Sequence, residues 1–274
     1  MNDWVHNLPV PWMTIVVCGG TYLIAAVIYF IVVVLATGER VRVLKNVTPG
    51  LLSPLGTLFG LFVAFTALQV WSDNNQAKAT VDREASSLRT AVILAGSLPE
   101  EPRERLRTLV ANYIERVVTQ EWSMMAHRNA TLNVAPQDLV QALQLTLAFI
   151  PSTLGQQTAQ RDIVAALDDA LDARRQRIFL SRSEVGFFKW FCLLGQAACL
   201  LFAIGLLHCD ARLANGIAIG IFATGVALCL LLILAYDRPF IGHLAVTPDP
   251  LMQVLPATSQ AGAIAPSNRS NQQP

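Results

Sequence analysis

Charge is scarce in this chain and cysteine scarcer, and each scarcity closes off a class of function. Only 14% of the residues are charged and the formal net charge is +1, so the basic footprint that a nucleic-acid binder needs is missing. The 5 cysteines, Cys18, Cys192, Cys199, Cys209 and Cys229, lie in apolar runs or in the tight connection between the last two. The polar middle of the chain has none, which excludes a disulfide framework and a cysteine-ligated zinc. The histidines are scattered; His127, His208 and His243 would have to converge from distant segments to bind a metal. A phosphate-binding glycine loop, a His-Glu-x-x-His pair, a nucleophile elbow and a Cys-x-x-Cys are all missing. The reading therefore assigns no catalytic residue, no metal and no cofactor, and an enzyme is not expected.

What the chain has is grease. Hydrophobic residues make up 53% of the sequence, mean hydropathy is +0.46, and the apolar residues are gathered into runs at 11–36, 51–71, 187–207 and 213–236. Each meets or approaches the roughly 20 residues that a helix needs to cross the hydrocarbon core of a bilayer. The first run has no basic residues before it and no small-residue cleavage pattern after it, so it is expected to remain as a span. The fold class that follows is an all-α membrane protein: four transmembrane helices in two pairs, with a helical extramembrane domain inserted between the second and third. The expected divisions are 1–71 for the first pair, 72–186 for the domain, 187–240 for the second pair and 241–274 for a C-terminal segment with a disordered tail.

An even number of crossings puts the termini and the domain on one face of the bilayer. Residues 37–50 and 207–212 then form loops on the other. Arg40, Arg42, Lys45 and Arg212 in those short loops favour an extracytoplasmic domain by the positive-inside rule, while Arg174, Arg175, Arg177, Arg182 and Lys189 crowd the entry to the third span on the opposite side.

Val81, Ala85, Leu88, Val92 and Ala95 continue a helical seam from the second span into the domain until Gly96 and Pro99 stop it. After Pro99 a second helix carries the stripe Leu106, Leu109, Val110, Tyr113 and Val117, and a shorter one follows Pro136. The last domain helix, with Ile163, Leu167, Ala170, Arg174 and Ile178 on one side, is expected to run on into the third span, with Gly186 as its weak point.

Within the second span two faces stand out. Ser53, Thr57, Gly60, Ala64 and Ala67 form a narrow small-residue side, and Gly56 with Gly60, like Gly216 with Gly220 in the fourth span, makes a Gly-x-x-x-Gly pair suited to helix packing. Phe59, Phe62, Phe65, Thr66 and Gln69 are the candidates for lining a hydrophobic constriction with a polar mouth. At the end of the fourth span Asp237 is expected to pair at the membrane boundary with Arg174 or Arg175, because a carboxylate in low dielectric needs a partner.

Several short motifs, taken in order between these spans, carry a family likeness. Ala79-Thr80-Val81-Asp82-Arg83-Glu84-Ala85, Leu98-Pro99 with Arg105-Leu106-Arg107 and Tyr113, Glu121-Trp122, Arg174-Arg175, and Asp237-Arg238-Pro239-Phe240 resemble the bestrophin-like domain family of bacterial membrane proteins. That family is distantly similar to the pentameric bestrophin anion channels. The resemblance implies a homo-oligomer in a bacterial inner membrane, a central pore lined by the second span, inorganic ions as partners beside the lipid bilayer, and a helical domain on the cytoplasmic face. The acidic calcium-binding cluster of animal bestrophins has no counterpart here. A non-conducting membrane scaffold or sensor is the alternative function.

Overall fold

The computed structural model describes residues 8–36, 40–133, 135–242 and 244–255, with the backbone alone for 40–49. His243 and the tail beyond 255 lie outside it. The described residues are helical and contain no strand: α1 Val10–Leu35, α2 Arg40–Leu94, α3 Glu100–Arg116, α4 Trp122–Ala126, α5 Gln137–Ala148, α6 Leu154–Leu180, α7 Phe187–Leu207, α8 Arg212–Tyr236 and α9 Asp249–Met252. Four helical stretches, Val10–Leu35, Gly50–Ser97, Phe187–Leu207 and Arg212–Tyr236, are long and apolar enough to cross a membrane.

The chain divides into two compact units, Met1–Asn74 with Ser183–Ala245, and Asn75–Arg182 with Val246–Pro274. In the first, α1, α7 and α8 pack on one another. One cluster buries Met13, Phe59, Val70, Leu193 and Ile233; another buries Ala25, Ile28, Val32, Leu201, Ile219 and Ala223. Tyr22 and Thr224 hydroxyls meet at 2.7 Å, one of the polar contacts that let apolar helices associate where lipid supplies no hydrophobic drive.

In the second unit the helical periodicities act as read: Val81, Leu88, Leu106, Val110, Tyr113, Ile163, Leu167 and Ile178 are buried. α2 ends in a 3₁₀ turn at Ala95–Ser97, where Gly96 and then Pro99 interrupt the helix. Thr153 caps α6 by accepting from the Gln156 amide.

Two expectations need correction. The segment read as a 37–50 loop is helical from Arg40 onward, and the helix continues through Pro49, Gly50 and Pro54; the breaker residues that suggested a loop lower helix propensity locally but do not end this helix. α6 does not run into the third span. It stops at Leu180, and Gly186 begins α7 from an extended conformation with ψ of 150°; between them Ser181 turns its hydroxyl back onto the Ile178 carbonyl at 2.7 Å. Among the described residues, only α2 therefore has residues of both units in one unbroken helix. The described residues from Val246 to Leu255 cluster with the second unit, where Leu251 and Leu255 are buried.

Candidate ion pathway and its supports

Turning a straight helix into a pore wall requires one face packed on its own subunit and another left open. α2 divides in this way over its first span. Phe59 is buried, its ring 6.1 Å from that of Phe222. Phe62 packs half-buried against the same cluster. Thr66 is buried and bonds its hydroxyl to the Phe62 carbonyl at 2.8 Å. These three of the sequence-derived lining candidates face the interior of their own chain. Phe65, 68% exposed, and Gln69 lie on the open side, beside Leu58, Leu61 and Leu68. The split between Thr66 and Phe65 follows from 100° per residue: Phe59 and Thr66, seven residues apart, fall nearly together, and Phe65 lies about 100° around the helix from Thr66. Gln69 falls close to Phe62, and its exposure comes from its place at the end of the packed stretch.

A collar of polar contacts closes one end of the first unit. Lys189 Nζ donates to Gln69 Oε1 at 2.6 Å, Ser183 donates to Asp73 Oδ2 at 2.6 Å, and the Val185 amide donates to Asp237 Oδ1 at 2.6 Å. Arg238 reaches Glu184 at 3.2 Å, and the Trp71 ring lies 5.7 Å from that of Tyr236. The Asp237 carboxylate thus secures the α6–α7 connection by a backbone bond. Arg174 pairs with Glu121 at 2.6 Å, and Arg175 with Asp172.

A Cβ on Gly56, Gly60 or Gly220 would meet nothing of its own chain within 4 Å, and on Gly216 only Tyr29 at 3.8 Å. Close packing inside the chain occurs instead at Gly205, where a Cβ would lie 3.0 Å from Val32 Cγ2 and 3.2 Å from Ile219 Cδ1. No motif marks that glycine in the sequence.

The second unit is held by a buried ionic network that sequence reasoning did not assemble. Arg177, fully buried, gives Nε to Glu84 Oε2 at 2.7 Å and Nη2 to Glu121 Oε1 at 2.7 Å. Tyr113 donates to Glu84 Oε1 at 2.5 Å, and the Trp122 ring lies 5.2 Å from the guanidinium carbon. Burial alone would push the Arg177 proton off, but Glu84, Tyr113 and Glu121 outweigh it and hold the group above its ordinary range. Burial, then the Glu84 charge, pushes the Tyr113 phenol well up. The charged partners come from α2, the π-helical turn Val117–Glu121 and α6; Glu84 and Glu121-Trp122 had drawn notice only as family motifs.

A family model for the bestrophin-like domain matches residues 19–251. No curated protein matches the sequence significantly. Among solved structures the chain is similar to a variant of a bacterial bestrophin homologue from Klebsiella pneumoniae, with a TM-score of 0.66 at 14% identity, over 90% of this chain and 98% of that one. A second variant of that homologue gives 0.64 at 12% identity, over 90% and 97%, and a structure described as a membrane protein gives 0.63 at 12% identity, again over 90% and 97%. At such identities the agreement is one of fold, and the matched model, spanning most of the chain, supplies the lineage: the chain belongs to the bestrophin-like family.

Proposed function

We infer that the protein is an oligomeric ion channel of a bacterial inner membrane, with the second unit as a helical domain outside the bilayer and the open face of α2 lining the path. One observation carries this reading: in its most apolar stretch only 11% of α2's residues are buried by its own chain, against 22% for α1 and 39% for α7 and for α8. Lipid alone gives no reason for that open face to carry Ser53, Thr57 and Gln69. Copies arranged about an axis would place the small side, Ser53, Thr57, Gly60 and Ala64, at the contact between neighbouring helices, and Phe65 with Gln69 toward the shared opening. Phe65 is the constriction and Gln69, held by Lys189, its polar mouth. The termini and the second unit share one face of the bilayer.

The test is flux through purified protein in liposomes under separate potassium and chloride gradients, with the oligomer mass measured in parallel. Selective flux from an oligomer supports the reading and gives the sign of the ion. A folded oligomer that passes neither ion refutes conduction and leaves a membrane scaffold or sensor.

A further inference from the structure

Away from α2's open face, the second unit contains a cavity of about 150 Å³ between α3, the π-helical turn, α4 and the loop that leads to α5. Its wall is mostly apolar, with Val117, Met124, Ala130 and Pro136, yet two ion pairs open onto it. Arg116 holds Asp138 at 2.8 Å, and Arg174 holds Glu121 at 2.6 Å. Arg174 and Asp138 are more than nine-tenths buried. Arg116, by contrast, keeps 49% of its side chain exposed. Charges buried as deeply as Arg174 and Asp138 are a poor source of stability, because desolvation offsets much of their attraction. Their retention at a cavity wall is better explained by recognition.

The backbone around the cavity departs from regular helix in two places. The π-helical turn Val117–Glu121 adds a residue to the helix and so brings Val117, Gln120 and Glu121 together onto the wall. Arg128, in the adjoining loop, takes a left-handed backbone with φ of 61°, which a residue other than glycine adopts at a cost. That turn lets the amides of Asn129 and Ala130 both donate to the Met124 carbonyl, at 2.8 and 3.2 Å, and sets the cavity's rim.

We propose that this cavity binds a small zwitterion of the α-amino-acid class, its carboxylate received by Arg116 and its ammonium by the Glu121 and Asp138 carboxylates. Two guanidiniums and two carboxylates sum to no net charge, so a ligand of one sign would leave a charge uncompensated in low dielectric, while a zwitterion adds none. The volume suits a compact ligand, since a cavity of about 150 Å³ is known to hold a benzene-sized molecule. The apolar wall then takes a short aliphatic side chain. This site is independent of the ion pathway, and its occupancy does not require conduction.

The experiment is calorimetric titration of the full chain in lipid nanodiscs with L-valine, L-threonine and L-proline, and with isobutylamine and isovalerate, which keep the valine body and one charge. The proposal predicts saturable binding of at least one amino acid, roughly tenfold or more tighter than either singly charged analogue. It predicts loss of that binding in Thr131→Trp, which fills the rim, and its retention in Gln157→Trp, which lies outside the cavity. Should Thr131→Trp fail to fold, Gln120→Trp fills the same space. Binding that survives the filled cavity, equal affinity for a singly charged analogue, or no saturable heat up to about 10 mM amino acid overturns the proposal.

Discussion

Replacing Glu84 by glutamine changes almost no volume and removes one charge, so it isolates what the buried network contributes. In the native unit two carboxylates, Glu84 and Glu121, balance two arginines, Arg174 and Arg177. With Glu84→Gln the balance becomes one net positive charge around an Arg177 that has no exposure to water. Two charge-assisted bonds at 2.7 and 3.1 Å become neutral ones or are lost, and the Tyr113 hydroxyl at 2.5 Å loses its charged acceptor. Removing one partner of a buried pair costs about 3–5 kcal/mol, because the remaining charge stays desolvated. The double variant Glu84→Leu with Arg177→Met removes both charges, so its loss should fall short of the summed single losses by on the order of 2–3 kcal/mol. Denaturant unfolding in micelles measures this, followed by Trp122 fluorescence with the other tryptophans changed to phenylalanine; the guanidinium above the ring makes Trp122 a local reporter. A Glu84→Gln variant within about 1 kcal/mol of the native protein would refute the reasoning, since that is the value of a solvated surface pair.

Other consequences are independent of that one. Tyr113 has a raised folded pKa, so its stabilising contribution is complete below the unfolded value near 10 and falls as pH rises beyond it toward the folded value. The slope above that point should be about 1.4 kcal/mol per pH unit for this one proton, and Tyr113→Phe should remove it from unfolding curves measured between pH 9 and 11. Phe59→Ala should destabilise the first unit by about 3–5 kcal/mol in thermal unfolding, as a buried aromatic, whereas Phe65→Ala should leave unfolding nearly unchanged and raise conductance. Gly205→Ala sets a methyl 3.0 Å from Val32 Cγ2; strain of about 1–3 kcal/mol is set against the roughly 1 kcal/mol that alanine gains over glycine inside a helix, so thermal unfolding should show a net loss of only about 0–2 kcal/mol. Gly60→Leu has open space within the chain and should instead lower the oligomer fraction in native mass measurements, with the monomer's unfolding unchanged.

Apolar run length made the four candidate spans legible, and period made the seams on α2, α3 and α6 legible, because both signals are local. The break between α6 and α7 was not, since Ser181 to Val185 carries no proline and its turn and irregular stretch are held by the Ser183–Asp73 and Val185–Asp237 bonds from distant segments. For the same reason Phe59 and Phe65 read alike in sequence; only the neighbour at Phe222 distinguishes the packed ring from the open one. Glu84 and Arg177 stand 93 residues apart, and nothing in either neighbourhood announces that they meet. Gly205 is the converse of the Gly-x-x-x-Gly pairs, a close approach without a motif.

The most direct test of the account is a planar-bilayer recording of single cysteines in a chain stripped of its native ones, exposed to a charged methanethiosulfonate reagent. Phe65→Cys and Gln69→Cys should carry currents that the reagent reduces or abolishes, and Phe59→Cys, if it folds, a current the reagent leaves alone. Currents at Phe65→Cys and Gln69→Cys that ignore the reagent would contradict the placement of the ion path along α2's open face, and a folded oligomer with no current at all would contradict the channel itself.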